Sequence, residues 1–370
     1  MKLTCQRKEL NEALQILGTI VSPAGTRPLY SNVRLEATKE AVIVSATDLE
    51  VGAKLKIPVE KVGEEGVVLV PHSHFSAILR ETTASDLEFT EENLVMDVRG
   101  GTSHFRILCE GVDEFEDVTG FGDGPAVEID REALAEMIRL TAFAIAGEEG
   151  PFALRGVLLS ISGKNIEMVG TDGRRLSRVK KKVNNPEDAT MQGIVPRKTL
   201  DLLAKLPGDA GGALALRIEE RQIAGATSKG ELRGQLIEGQ FPDYERVIPK
   251  SGKIKVDMPV AQFLSCVRQA ALITTEEQPA MRLTIQPGKV LFEAESADVG
   301  SADIDMACDY QGEECSLLFN PKFLIDVLRA IAEEQVRFEV TDSENAVAMR
   351  AGHNFVHVLM PITEGAGSGR

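Results

Sequence analysis

Apolar positions along this chain follow two periods, and each period returns three times. Three segments open on proline and continue with helical spacing: Pro71-His72-Ser73-His74-Phe75, Pro196-Arg197-Lys198-Thr199-Leu200 and Pro321-Lys322-Phe323-Leu324-Ile325. Four and seven residues after each proline the chain is apolar (Phe75 and Ile78, Leu200 and Leu203, Ile325 and Leu328). One and five residues after it, the chain is polar. That is the one-sided stripe of an amphipathic helix, and proline suits its first turn, where no N–H is needed. A second helical pattern opens each third, over residues 7–20, 131–146 and 260–273. Between the helices, short stretches such as 41–45, 156–161, 165–169, 282–285 and 336–340 alternate with the period of half-buried strands.

The three prolines fall 125 residues apart (71, 196, 321), and a turn recurs at a similar interval as Thr47-Asp48, Thr171-Asp172 and Ala297-Asp298. Repetition at a fixed period marks tandem modules. The pattern predicts three similar domains over residues 1–125, 126–250 and 251–363, followed by a disordered glycine-rich tail, 364–370. The boundaries fall at Gly120-Phe121-Gly122-Asp123-Gly124-Pro125 and Pro249-Lys250-Ser251-Gly252. Each module reads as two helices plus strands in hairpin series, so the fold class is α+β with antiparallel sheets rather than a parallel βαβ sheet.

Composition agrees with several modules, since 370 residues exceed one ordinary core. With 43% hydrophobic and 26% charged residues the chain is globular. No apolar run approaches the ~20 residues of a membrane span, and no signal-peptide core follows Met1. Five scattered cysteines without a C-x-x-C pair point to a reducing, cytoplasmic setting and away from disulfides or thiolate zinc. The net charge of −16 argues against phosphate binding. Its distribution softens that objection, because residues 126–250 hold 19 basic against 18 acidic side chains.

Catalytic signals are weak. The Gly120-x-Gly122-x-Gly124 run is followed by proline and not by a helix, so it reads as a linker and not a phosphate loop. His72-x-His74 lacks a third ligand, and His353 and His357 sit in a strand-like stretch that would hold them ~13 Å apart. No metal or cofactor is called for. Asp48 and Asp172 could serve a hydrolase, but no histidine or metal ligand accompanies them. Two strings are more specific. The first, Gly170-Thr171-Asp172-Gly173-Arg174-Arg175-Leu176, joins two strands through an Asp-Gly turn and opens the most basic stretch of the chain. The second, Gly239-Gln240-Phe241-Pro242-Asp243-Tyr244-Glu245-Arg246-Val247-Ile248-Pro249, brackets aromatics between prolines.

Together with Met1-Lys2-Leu3-Thr4, Ala46-Thr47-Asp48-Leu49-Glu50, Val195-Pro196-Arg197-Lys198, Asn320-Pro321 and Leu359-Met360-Pro361, these strings resemble the bacterial sliding clamps, the β subunits of the replicative DNA polymerase. The resemblance spans the chain. It implies a non-catalytic processivity factor: a head-to-tail homodimer whose six domains close a ring around double-stranded DNA, read without sequence specificity. It also implies a hydrophobic cleft for Gln-Leu-x-Leu-Phe-like segments of polymerase subunits, the clamp loader and repair proteins. By resemblance that cleft maps to Leu154, Thr171, Gly173, Arg174, Arg175, Leu176, Pro242, Arg246, Val247, Val358, Leu359 and Met360. The dimer contact maps to Phe105 and Ile107 on one subunit and to Leu272 and Ile273 on the next. Helix cations that could line the hole are Arg7, Lys8, Arg131, Arg139, Arg197, Lys198, Lys205, Arg268, Lys322 and Arg329. Lys198 stands foremost among them, and Arg27 is a displaced counterpart of a loop arginine. A peptide-binding scaffold that never meets DNA remains the competing reading.

Overall fold

The computed structural model describes residues 1–22, 27–59, 61–342 and 345–363. The centre of the loop before Pro28 and the 364–370 tail, for which the sequence raised expectations, lie outside the described residues. The first third of the chain runs β1 (Lys2–Gln6), α1 (Arg7–Leu17), β2 (Asn32–Ala37), β3 (Ala41–Thr47), β4 (Val51–Pro58), β5 (Lys61–Glu64), β6 (Gly66–Pro71), α2 (His72–Glu81), β7 (Asp86–Glu92), β8 (Val95–Gly100) and β9 (Ser103–Leu108). The second runs β10 (Val127–Asp130), α3 (Arg131–Thr141), β11 (Gly156–Ser162), β12 (Asn165–Thr171), β13 (Arg175–Lys182), β14 (Met191–Pro196), α4 (Arg197–Lys205), β15 (Ala213–Ile218), β16 (Gln222–Ala226) and β17 (Gly230–Gln235). The third runs β18 (Ile254–Pro259), α5 (Val260–Ala270), β19 (Met281–Gln286), β20 (Lys289–Ser296), β21 (Gly300–Ala307), β22 (Cys315–Phe319), α6 (Pro321–Ala330), β23 (Gln335–Val340), β24 (Val347–Ala351) and β25 (Phe355–Leu359). Apart from the extra strand β5, the order is the same each time. The chain is three tandem α+β domains with antiparallel sheets.

Helices form where the apolar stripe predicts them. α1 buries Leu10, Ala13, Leu14 and Leu17, and α5 buries Val260, Phe263, Cys266, Val267 and Ala270, the spacing of one helix face. Both end sooner than the apolar pattern. α1 closes on Gly18, whose N–H reaches the Leu14 carbonyl at 2.8 Å. A Cβ at Gly18 would sit 2.7 Å from the His72 imidazole, so any larger residue there would have to displace that ring. The recurring prolines differ among themselves. Pro71 and Pro196 close the preceding strand as N-cap residues, whereas Pro321 opens its helix behind Asn320, whose side chain accepts the Lys322 N–H. Neither place needs the missing N–H.

The chain packs as two compact units, residues 1–134 with 183–236 and residues 135–182 with 237–370. The middle third gives strands to both. In the first unit one sheet runs β10-β15-β16-β17-β4-β3-β2-β6 and a second runs β5-β1-β7-β8-β9. In the other unit the sheets run β11-β12-β13-β25-β24-β23-β18 and β21-β20-β19-β22. The domains are thus joined strand to strand. β4 pairs antiparallel with β17, with Lys54 opposite Glu231, and β13 pairs antiparallel with β25, with Arg178 opposite Val356. These are the same two strands of the repeat in the same register. Apolar cores lie under each sheet, with Phe75 edge-on to Phe89 in the first unit and Phe263, Phe292, Phe319 and Phe338 clustered in the second.

Candidate functional site

The recurring Thr-Asp pair builds a turn, and its chemistry is used up in doing so. Thr171 Oγ1 donates to the Arg175 carbonyl and accepts the Gly173 N–H, while one Asp172 oxygen accepts the N–H groups of Arg174 and Arg175. Thr47 and Asp48 make the same four contacts with Val51, Leu49 and Glu50. The turn needs a positive φ at its third residue, 87° at Gly173 and 77° at Leu49. Glycine adopts that freely. Both aspartates therefore shape hairpins, and neither is free to act as a hydrolytic base.

Arg175 is not an accessible cleft residue. It is 8% exposed and lies between Phe143 and Phe323, 5.6 and 4.5 Å from their centroids. Its guanidinium donates to Asp172 at 2.9 Å, to Asp326 at 2.7 Å and to the Phe143 carbonyl at 2.7 Å. Asp326 belongs to α6, so this one side chain ties the turn of the middle domain to the second helix of the next. Lys198 on α4 does the equivalent for the first joint, 2.5 Å from Asp48. Behind Arg175, Ser177 Oγ and His357 Nδ1 share a hydrogen bond of 2.6 Å. His357 is fully buried. Burial, with the Arg175 charge second, pushes its pKa down to about 3.

Three further segments are pinned by single hydrogen bonds. The Met360 N–H bonds the Arg174 carbonyl at 3.0 Å, and the Leu154 carbonyl accepts Ala146 N–H at 2.8 Å. Tyr244 donates its hydroxyl to Glu167 at 2.6 Å, and burial, with this bond to a carboxylate second, raises the phenol pKa. Thr171, Leu176, Val358 and Leu359 are buried core, while Gly173, Arg174, Pro242 and Arg246 are exposed and Leu154 is half-buried. The apolar surface offered to solvent belongs to Val247, 51% exposed, and Met360, 45% exposed. Nothing in the strings distinguished Phe152, which is also exposed. The first joint carries no such surface. Gly52, Arg233, Gly234 and Gln235 stand where the second joint has Leu176, Val358, Leu359 and Met360, and Val118 of the linker covers Gly52.

Family descriptions of the DNA polymerase III beta subunit match the chain in three consecutive pieces: the N-terminal domain over residues 1–119, the central domain over 128–243 and the C-terminal domain over 245–363. The chain belongs to the DNA polymerase III beta subunit family. A beta sliding clamp of Pseudomonas aeruginosa is 29% identical over 370 residues, covering 98% of this chain and all of the relative. That of Chlamydia trachomatis is 28% identical over 363 residues, covering 98% and 87%. Among solved structures, a sliding clamp from Pseudomonas aeruginosa bound to griselimycin superposes with a TM-score of 0.92 at 28% identity, covering 98% of this chain and all of that one. The beta subunit of Thermotoga maritima shares the fold at a TM-score of 0.90 and 23% identity, covering 98% and 100%.

As a beta subunit, the chain places its candidate cations unevenly. Arg7 spends its donors on the carbonyls of Ala84 and Leu79, and Arg131 on those of Leu206 and Asp209. Arg197 pairs with Asp201 at 3.0 Å. Lys8, Arg27, Arg139, Lys205, Arg268, Lys322 and Arg329 are exposed. The last turns of α2 to α6 each carry an exposed cation: Arg80, Arg139, Lys205, Arg268 and Arg329. Arg80 escaped notice because only its position in the repeat singles it out. Of the edge residues, Leu272 is 78% exposed, Phe105 and Ile273 are half-buried, and Ile107 is buried within its own chain. The exposed apolar group on β9 is instead Leu108, 77% exposed.

Proposed function

We propose that two copies of this beta subunit join head to tail around duplex DNA and tether the replicative polymerase through the cleft beside Met360 and Val247. The family is a non-catalytic processivity factor, a sliding clamp. The observation that carries the closure is the joint itself. β4 with β17 and β13 with β25 repeat one antiparallel pairing, and the two half-joints left over, β21 and β9, are both sheet edges. An open edge is a template for another chain, and a second copy supplies the complementary strand at both ends. Leu108 and Leu272 mark the two edges with unsatisfied apolar surface.

Enclosure explains how an acidic protein holds a polyanion. With −16 per chain, attraction cannot dominate, but charges farther than a screening length of ~8 Å hardly act. Exposed cations such as Arg139, Lys205, Arg268 and Arg329 give a loose, sequence-blind contact that permits sliding. Lys198, held by Asp48, serves the joint as well as any contact with DNA. For partners, Met360 offers a flexible apolar floor suited to short hydrophobic motifs. No helix among the described residues is long and apolar enough to cross a membrane, and we place the ring in the cytoplasm, with the DNA. Equilibrium sedimentation of the full chain should give twice 40.1 kDa. A monomer at every concentration would overturn the closure.

A further inference from the structure

Projecting the repeat onto the two open edges gives the register of the joint between copies, and with it a titratable contact. Along the hairpins, Phe105 stands opposite Val98, Leu232 opposite Gly225 and His357 opposite Met349. His104 therefore occupies the place of Glu231. In the same way Asp303, opposite Glu293, takes the place of Lys54, opposite Ser45, and of Arg178, opposite Val169. Both joints within the chain set these positions face to face, Lys54 against Glu231 and Arg178 against Val356. The joint between copies then sets Asp303 against His104. The opposite-charge pair of the first joint recurs with its polarity reversed.

His104 is already committed to one carboxylate. Its Nε2 bonds Asp97 Oδ1 on β8, and that hydrogen bond, helped by Arg106 and Arg99, holds Asp97 below the usual carboxylate range. The other groups around it are Arg99 directly opposite on β8, Arg106 on its own strand, and His72, His74, Arg80 and Glu81 on α2, which packs on β9. On the facing edge Asp303 has Asp305 beside it, Glu293 opposite on β20, and Arg268 on α5 behind. The incoming edge is thus acidic and the receiving edge basic.

We propose that closure between copies is pH-responsive: protonated His104 bridges Asp97 of its own sheet and Asp303 of the neighbouring copy, tightening the assembly on the acid side of the histidine range. This contact rests on the head-to-tail reading of the two edges. Histidine ordinarily titrates near pH 6.5. A group that gains an anionic partner binds its proton more tightly, so its stabilisation is present at low pH and is lost as pH rises through the value it has in the joint. Two such joints close each assembly. An exposed pair contributes roughly a three-fold change in affinity per joint, hence about ten-fold for the dimer.

The test is the dimer dissociation constant of the full chain at pH 6.2 and 8.0 in low salt, read by dilution of fluorescently labelled copies. The unfolding midpoint is recorded at both pH values so that changes in folding are seen separately. Wild type should dissociate about ten-fold more readily at pH 8.0. His104→Gln and, independently, Asp303→Asn should flatten that difference to below about two-fold. A dimer whose affinity is the same at both pH values, or a slope that survives in both variants, would overturn the proposal and leave the head-to-tail reading standing. Monomers at both pH values would overturn the reading itself.

Discussion

Arg175 has three partners and two aromatic faces in a site from which water is largely excluded. Arg175→Ala would leave Asp172 and Asp326 partly buried without their cation, a loss of about 3 kcal/mol in urea unfolding. Unchanged stability would show the knot to be ornamental. His357 makes a second residue-level prediction. Because its native pKa is depressed to about 3 by burial, the unfolded chain binds the extra proton below the ordinary value near 6.5, and stability must fall as pH drops through that window. At pH 5 the loss is about 2 kcal/mol relative to pH 8, and His357→Leu should remove that part of the slope. Leu176 and Leu359 are core, so Leu176→Ala costs about 2–4 kcal/mol of folding stability before any effect on partners can be read.

Partner binding belongs to the scale of elements, because it needs the end of β25 and the 244–247 turn together. Val247→Ala with Met360→Ala removes exposed side chains and should weaken a Gln-Leu-x-Leu-Phe peptide by about 2 kcal/mol with the unfolding midpoint unchanged. Calorimetric titration checks it, and full affinity in the double variant would move the cleft elsewhere. The elements themselves were legible in the sequence because one-sided stripes such as Leu10, Ala13, Leu14 and Leu17 decide a helix and alternation decides a strand. Exposure was less legible. Leu176 and Met360 look equally apolar in a string, yet one faces the core and the other solvent, a difference set by strands paired from distant parts of the chain. Ile107 and Leu108 show the same limit, since a strand turns neighbours to opposite faces and only the observed register says which face is covered.

At the scale of the molecule, the central claim is that two chains hold DNA by enclosing it. The edges β9 and β21 make that claim specific: Leu272→Asp, at a position 78% exposed in the single chain, should leave the fold intact yet abolish the dimer, because the charge would be buried on closure. Sedimentation of this variant as a stable dimer would remove Leu272 from the joint. Strong phosphate contacts, by contrast, would make retention depend on salt and not on DNA topology. The decisive measurement is retention of the loaded protein on circular DNA, followed after a single cut that makes the circle linear. Enclosure predicts that the protein stays on the circle through a salt wash and runs off the ends within the time of sliding once the circle is opened. Equal retention on circular and linear DNA would contradict it.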